Sequence, residues 1–256
     1  MDLSATLATH VARTSFEDLP PAAVAGAKRS LLDALGVTLA ASTLGEGCRP
    51  FVDLVLADGG APVSTVVGFG RKVPPAAAAL ANGAMAHALD YEDAHDGALV
   101  HPNAQTVPAV LALAETRPTS GREVLTAMAV GCDLVCRLGL ALRDDPARFG
   151  WYPPAILQAF GAAAGAARVL GLDAGATLDA LSLTLAQATG TAEMTRGARS
   201  VVRGVRDAFG AHAGVLAAAD PRFAEVHDYL VSVTRAAGLN GRFVADGDQL
   251  VIVTQE

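Results

Sequence analysis

The residues best suited to chemistry are crowded into one stretch, HALDYEDAHDGALVHPN, from His87 to Asn103. Three of the six histidines fall inside it, with Asp90, Glu92, Asp93 and Asp96 between them. An imidazole beside carboxylates is the side chain most readily set for proton transfer near neutral pH. Charged residues make up only 18% of the sequence. Gathering them between apolar segments points to an active-site rim, because loops on a rigid scaffold carry catalytic groups. Two other readings stay open on spacing alone. The stretch could be a solvated loop whose acids face water. His87, Asp90 and His101 could also supply metal ligands, although their spacing matches no HExxH or EF-hand pattern.

A second cluster is basic. Lys28 and Lys72 are the only lysines, and Arg196, Arg199, Arg203 and Arg206 follow one another at intervals of three, four and three. On a helix that spacing puts all four guanidinium groups along one face. Such a stripe suits a di- or tricarboxylate; an exposed or salt-bridged stripe is the alternative. Gly197 and Gly204 weigh against a helix, since each costs about 1 kcal/mol relative to alanine.

The elements that must position these groups read as helices separated by Gly and Pro. The pattern predicts helices over Leu3 to Arg13, Pro21 to Ala41, Arg49 to Ala57, Pro75 to Tyr91 and Val107 to Glu115. Ser120 with Glu123 is a capping-box signature opening a helix to Leu142. Further helices are expected over Ala155 to Leu170, Ala176 to Ala188, Asp207 to Ala219 and Arg222 to Ala237. Val63 to Phe69 reads as one short strand, and two apolar runs flanking Asp246-Gly247 read as a hairpin. The expected fold is all-α: a closely packed, Ala/Gly-rich helical domain with a short C-terminal β hairpin.

Hydrophobic residues make up 52% of the 256-residue chain and mean hydropathy is +0.36, which excludes intrinsic disorder. The net charge of −7 argues against a nucleic-acid surface. The longest apolar runs are too short for a membrane span, and Met1 to His10 lacks the pattern of a secretory signal. Cys48, Cys132 and Cys136 form no CxxC pair and read as plain buried thiols, which fits a cytoplasmic location.

Three stretches carry a family resemblance. ANGAMAHALDYEDAHDGALVHPNAQTVPAVLALAE (81–115) is the most specific, followed by AFGAAAGAARVLGLD (159–173) and RGARSVVRGVRDAFGAHAGVLAA (196–218). Together they resemble the MmgE/PrpD family, which includes 2-methylcitrate dehydratase, cis-aconitate decarboxylase and iminodisuccinate epimerase. The likeness runs from about residue 3 to residue 219. It implies a large helical domain, a smaller lid domain, a homodimer, and neither metal nor other cofactor. On that reading residues 1–220 are the helical domain, and residues 221–256 stand where the lid would begin.

Carried over position by position, the family's acid falls on Asp90 and its HP-motif histidine on His101. A second family histidine falls on Tyr152, its active-site lysine on Arg203, and a threonine on Ala94. These departures change the chemistry on offer. An arginine keeps its proton and a phenol is a poor base at neutral pH, but a guanidinium still grips a carboxylate bidentately. The expectation is a lyase or isomerase acting on a small carboxylate or related carbonyl compound. His101 would move the proton, Asp90 would orient and charge it, Tyr152 would act as an acid, and Arg203 would stabilise developing charge. Arg206, Arg199, Asn103, Asp93 and His95 are the further substrate-binding candidates. A scaffold that has lost catalysis, and a repurposed enzyme with a less polar substrate, are the rival expectations.

Overall fold

The computed structural model describes residues 3–197, 200–219, 240–246 and 249–255. The fold is mostly α-helical, as the composition implies. Helices α1 (Leu3–Arg13), α2 (Pro21–Leu44) and α3 (Cys48–Asp58) lead to a small hairpin of β1 (Ser64–Val66) and β2 (Arg71–Val73). Then come α4 (Pro75–His87), α5 (Pro102–Ala114), α6 (Gly121–Leu140), α7 (Pro153–Leu170) and α8 (Ala174–Gln187). A four-residue turn of helix, α9 (Val202–Val205), precedes α10 (Asp207–Ala219). Strands β3 (Asn240–Asp246) and β4 (Gln249–Gln255) pair antiparallel, with Asp246 opposite Gln249, as the C-terminal sequence pattern suggests. The helix expected over Arg222 to Ala237 lies outside the described residues. Among the described residues no helix is long and apolar enough to cross a membrane.

Proline at the first helical position opens α2, α4, α5 and α7, where the missing N–H costs nothing. Ser120 and Glu123 close the expected reciprocal cap on α6: the Glu123 amide donates to Ser120 Oγ and the Ser120 amide to the Glu123 carboxylate. Three expectations need correction. The β-branched run near Val63 is half of a hairpin rather than a lone strand, because the chain turns at Gly68 to Gly70 and Arg71–Val73 pairs back on it. Helix α4 ends at His87 rather than Tyr91, and α5 begins at Pro102 rather than Val107.

The core is built from α4, α5, α7 and α10, with α6 against α7. Small side chains make the close nesting possible. Ala78, Ala81, Ala84, Ala162, Ala166 and Ala211 are fully buried in one cluster with Met85 and Leu113. The tightest approach bears on the site. At Gly83 of α4 an added Cβ would stand 2.8 Å from the Asp207 carbonyl oxygen at the start of α10. That contact brings His87, one turn further along α4, beside Arg206 and Asp207.

Candidate active site

Four helix ends converge on one place. Helix α4 finishes at His87, His101 stands at the N-terminal cap of α5, Tyr152 caps α7, and Asp207 opens α10. The loop between α4 and α5 is tightly built: the His95 amide donates to the Val100 carbonyl at 2.9 Å, and Asp90 and Leu99 take left-handed φ angles of 57° and 55°.

The floor of the site is a buried ionic cluster. His87 is wholly buried; its Nε2 faces Arg206 Nη1 and its Nδ1 faces Glu92 Oε1. A guanidinium only donates, so Nε2 accepts and the ring proton sits on Nδ1, toward the Glu92 carboxylate. Asp207, also buried, accepts from the side-chain amides of Gln105 and Gln158, both at 2.7 Å on Oδ1. Its Oδ2 lies 3.6 Å from Arg206 Nε and 3.9 Å from His87 Nδ1. Gly210 is required beneath it, since an added Cβ would collide with the Gln105 carboxamide.

His101 stands between this floor and solvent, its ring centroid 5.1 Å from that of His87. Its Nδ1 meets two acceptors at 3.1 Å, Glu92 Oε1 and the Asp93 carbonyl oxygen, so the ring proton is on Nδ1. Among the described residues Nε2 has no hydrogen-bonding partner. Gln158 Oε1 accepts from the His101 amide at 2.8 Å, tying the backbone to the floor. Burial pulls the imidazole below its ordinary pKa of 6.5, and the Glu92 charge works against that pull. The result is a ring held neutral at pH 7 with one free lone pair.

An open cavity of about 420 Å³ lies against His101 and Tyr152, with His95 also on its wall. Arg206 stacks over the Tyr152 ring, its guanidinium carbon 4.9 Å from the ring centroid. Arg203 has Tyr152 and Glu92 as electrostatic neighbours, and its Nη1 donates to Asp90 Oδ2 at 2.6 Å. That bond holds the Asp90 carboxyl below the usual carboxylate range.

The residues singled out from sequence are placed as follows. His101, Tyr152, Arg203, Asp90 and Arg206 do come together. Asp90 does not orient His101, however. It turns outward onto Arg203, and Glu92 occupies the position against the imidazole. Asn103 is buried, with its amide on Ser30 Oγ, and does not reach the cavity. Asp93 points inward and caps α5, accepting from the Asn103 amide at 3.0 Å, while burial pushes its carboxyl up to about 6. His95 Nδ1 accepts from the Ala98 amide at 3.1 Å. Arg199 lies outside the described residues. Among the described residues Arg196 and Arg203 do not share one helix: Arg196 ends a turn and pairs with Glu193 at 3.5 Å, and Arg203 lies in α9, which begins at Val202.

For metal binding, the trio His87, Glu92 and His101 replaces the one suggested by sequence. One ligand atom from each lies within 4.8 Å of the others. Arg206 argues against that use, because it fixes the His87 proton on Nδ1, the atom that faces Glu92. Glu92, Asp207, Gln105 and Gln158 were not singled out from sequence. For two of them the signal was isolation: Gln158 is the lone uncharged polar residue in α7, and Asp207 heads an otherwise uncharged, largely apolar α10.

Comparison with known proteins gives a consistent picture. The family model for the MmgE/PrpD N-terminal domain matches residues 5–220. A cis-aconitate decarboxylase-like protein, oryM, of Aspergillus oryzae is 29% identical over 227 residues, covering 85% of this chain and 46% of its own length. Cis-aconitate decarboxylase of Aspergillus terreus is 32% identical over 157 residues, 59% of this chain and 32% of the relative. The Mus musculus enzyme of that name is 32% identical over 173 residues, 63% and 34% respectively. The chain thus spans less than half the length of these relatives.

Proposed function

The chain belongs to the MmgE/PrpD family, and from that premise we propose that it is a lyase or isomerase moving a proton at a carbon near a carboxylate. The observation that carries the reading is His101. Its Nδ1 is anchored by Glu92 and Asp93, its Nε2 is unengaged, and its ring lines the cavity. A neutral imidazole so held is a general base, a role worth about 10²–10⁴ in rate. Glu92 stabilises the imidazolium that forms once the proton is taken.

The other groups fit roles around that step. Arg203 exchanges its bond to Asp90 for one to the substrate carboxylate, so the electrostatic stabilisation is organised before the reaction begins. Tyr152, on the cavity wall, protonates a leaving hydroxyl or an enolate oxygen. Arg206 sets the Tyr152 ring from behind. His87, Asp207, Gln105 and Gln158 hold Arg206 and Glu92 in register without meeting substrate.

The test is solvent deuterium incorporation into a panel of small carboxylic acids, cis-aconitate among them, followed by proton NMR with wild type and His101→Ala. The reading expects incorporation or turnover by wild type and its loss in the variant. Equal rates remove His101 from the mechanism. A second reading, binding without catalysis, draws on the Asp90–Arg203 pair, which already engages the Arg203 guanidinium. Saturable carboxylate binding with no exchange across the panel selects it.

A further inference from the structure

We propose that the cavity takes a substrate with a single carboxylate and an uncharged, mainly apolar remainder; this rests on the proton-transfer reading above. Besides His95, His101 and Tyr152, the cavity is lined by Ala94, Leu99, Val100, Ala147, Pro153 and Pro154. The acids on it are Asp96 and Asp145, and neither lysine nor arginine lines it. Arg148, next in the chain to Ala147, is 71% exposed and directed at Asp144, 3.5 Å away. A second carboxylate there would lose water, gain no guanidinium and meet two like charges. An apolar group of several carbons loses nothing polar and fits a volume of about 420 Å³.

Leu99 makes the same point independently. It sits at φ 55° with half its surface exposed. Glycine or asparagine takes that backbone readily and leucine does not. The loop bridge between His95 and Val100 holds it there. A strained backbone presenting an apolar side chain to a cavity gives the fold no gain; it gives a ligand a surface. The guanidinium groups stand outside this lining and approach the site at Tyr152: Arg206 lies against its ring, and Arg203, on Asp90, has it as an electrostatic neighbour. The rest of the lining is mainly hydrocarbon.

The experiment is a ligand-observed NMR titration of the chain, into the millimolar range, with hexanoate and with tricarballylate. Wild type, Arg203→Ala, Leu99→Asn and the double variant Asp96→Asn/Asp145→Asn are compared. Hexanoate binds at least tenfold more tightly than tricarballylate if the proposal is right. Leu99→Asn, which relieves the backbone, then weakens hexanoate several-fold without lowering Tm, and the double variant narrows the gap between the two acids. Tighter binding of tricarballylate that is lost in Arg203→Ala overturns the substrate class and leaves the proton-transfer site standing. Absence of binding by either acid, or binding indifferent to Arg203→Ala, overturns both.

Discussion

His87 and His101 differ in almost everything except position. Their rings are 5.1 Å apart and share one carboxylate, Glu92. His87 belongs to the sealed floor, where Arg206 and Glu92 engage its two nitrogens. His101 belongs to the cavity wall, where one nitrogen is anchored and the other faces the space a ligand would fill. The difference separates two uses of the same side chain. An imidazole with both nitrogens engaged between charged partners in the interior is structural. One with a single free lone pair, pulled toward neutrality by burial, is a base. Glu92 serves both, which makes it the hinge between stability and chemistry.

Substitution breaks that comparison most sharply. His101→Ala should cost about 10²–10⁴ in kcat/KM while thermal unfolding stays within a few degrees of wild type. His87→Ala should do the reverse first: it strips Arg206 Nη1 and Glu92 of a buried partner, at about 3–5 kcal/mol, seen as a large drop in Tm. Activity then falls only as the folded fraction falls. If the two variants behave alike in both assays, the division between floor and wall is wrong.

Glu92→Gln comes next in size. Without that charge the His101 imidazolium loses its stabiliser, so kcat should fall roughly tenfold to a hundredfold and the acid limb of kcat/KM should move to lower pH. In the wild type that limb lies below pH 6.5, because burial depresses the His101 pKa and the neutral ring is the active form. A limb above 6.5 would show that Glu92 outweighs burial.

The smallest effect concerns Asp93. Its carboxyl is raised from 3.8 to about 6 by burial, so the native state prefers it protonated. Its contribution to stability is full below about pH 4 and is lost as pH rises through about 6. Asp93→Asn, which keeps an oxygen for the Asn103 amide, should raise Tm at pH 8 by a few degrees. The gain should shrink toward zero at pH 4. Chemical unfolding at both pH values measures it.

Much of the scaffold was legible in the sequence because its signals are local. Pro21 and Pro75 mark helix starts, and Ser120 with Glu123 is a cap readable from four residues. The start of α5 was hidden: Pro102 opens it, but the polar residues Asn103, Gln105 and Thr106 look like loop until the partners Ser30 and buried Asp207 are known. At the site, the meeting of His101, Tyr152 and Arg203 followed from family likeness rather than from spacing. The exchange of roles between Asp90 and Glu92 could not be read at all. Two acids two residues apart are equivalent on paper, and only the left-handed turn at Asp90 sends one to Arg203 and leaves the other on the imidazole.

The most direct measurement is nitrogen-resolved NMR of the two imidazoles across pH, with a small carboxylate added. The account predicts that His101 titrates below 6.5 with its proton on Nδ1 and that its Nε2 signal shifts on ligand addition, while His87 keeps its Nδ1 proton and does not respond. A His101 ring that is already protonated at pH 7, or a ligand response confined to His87, would contradict it.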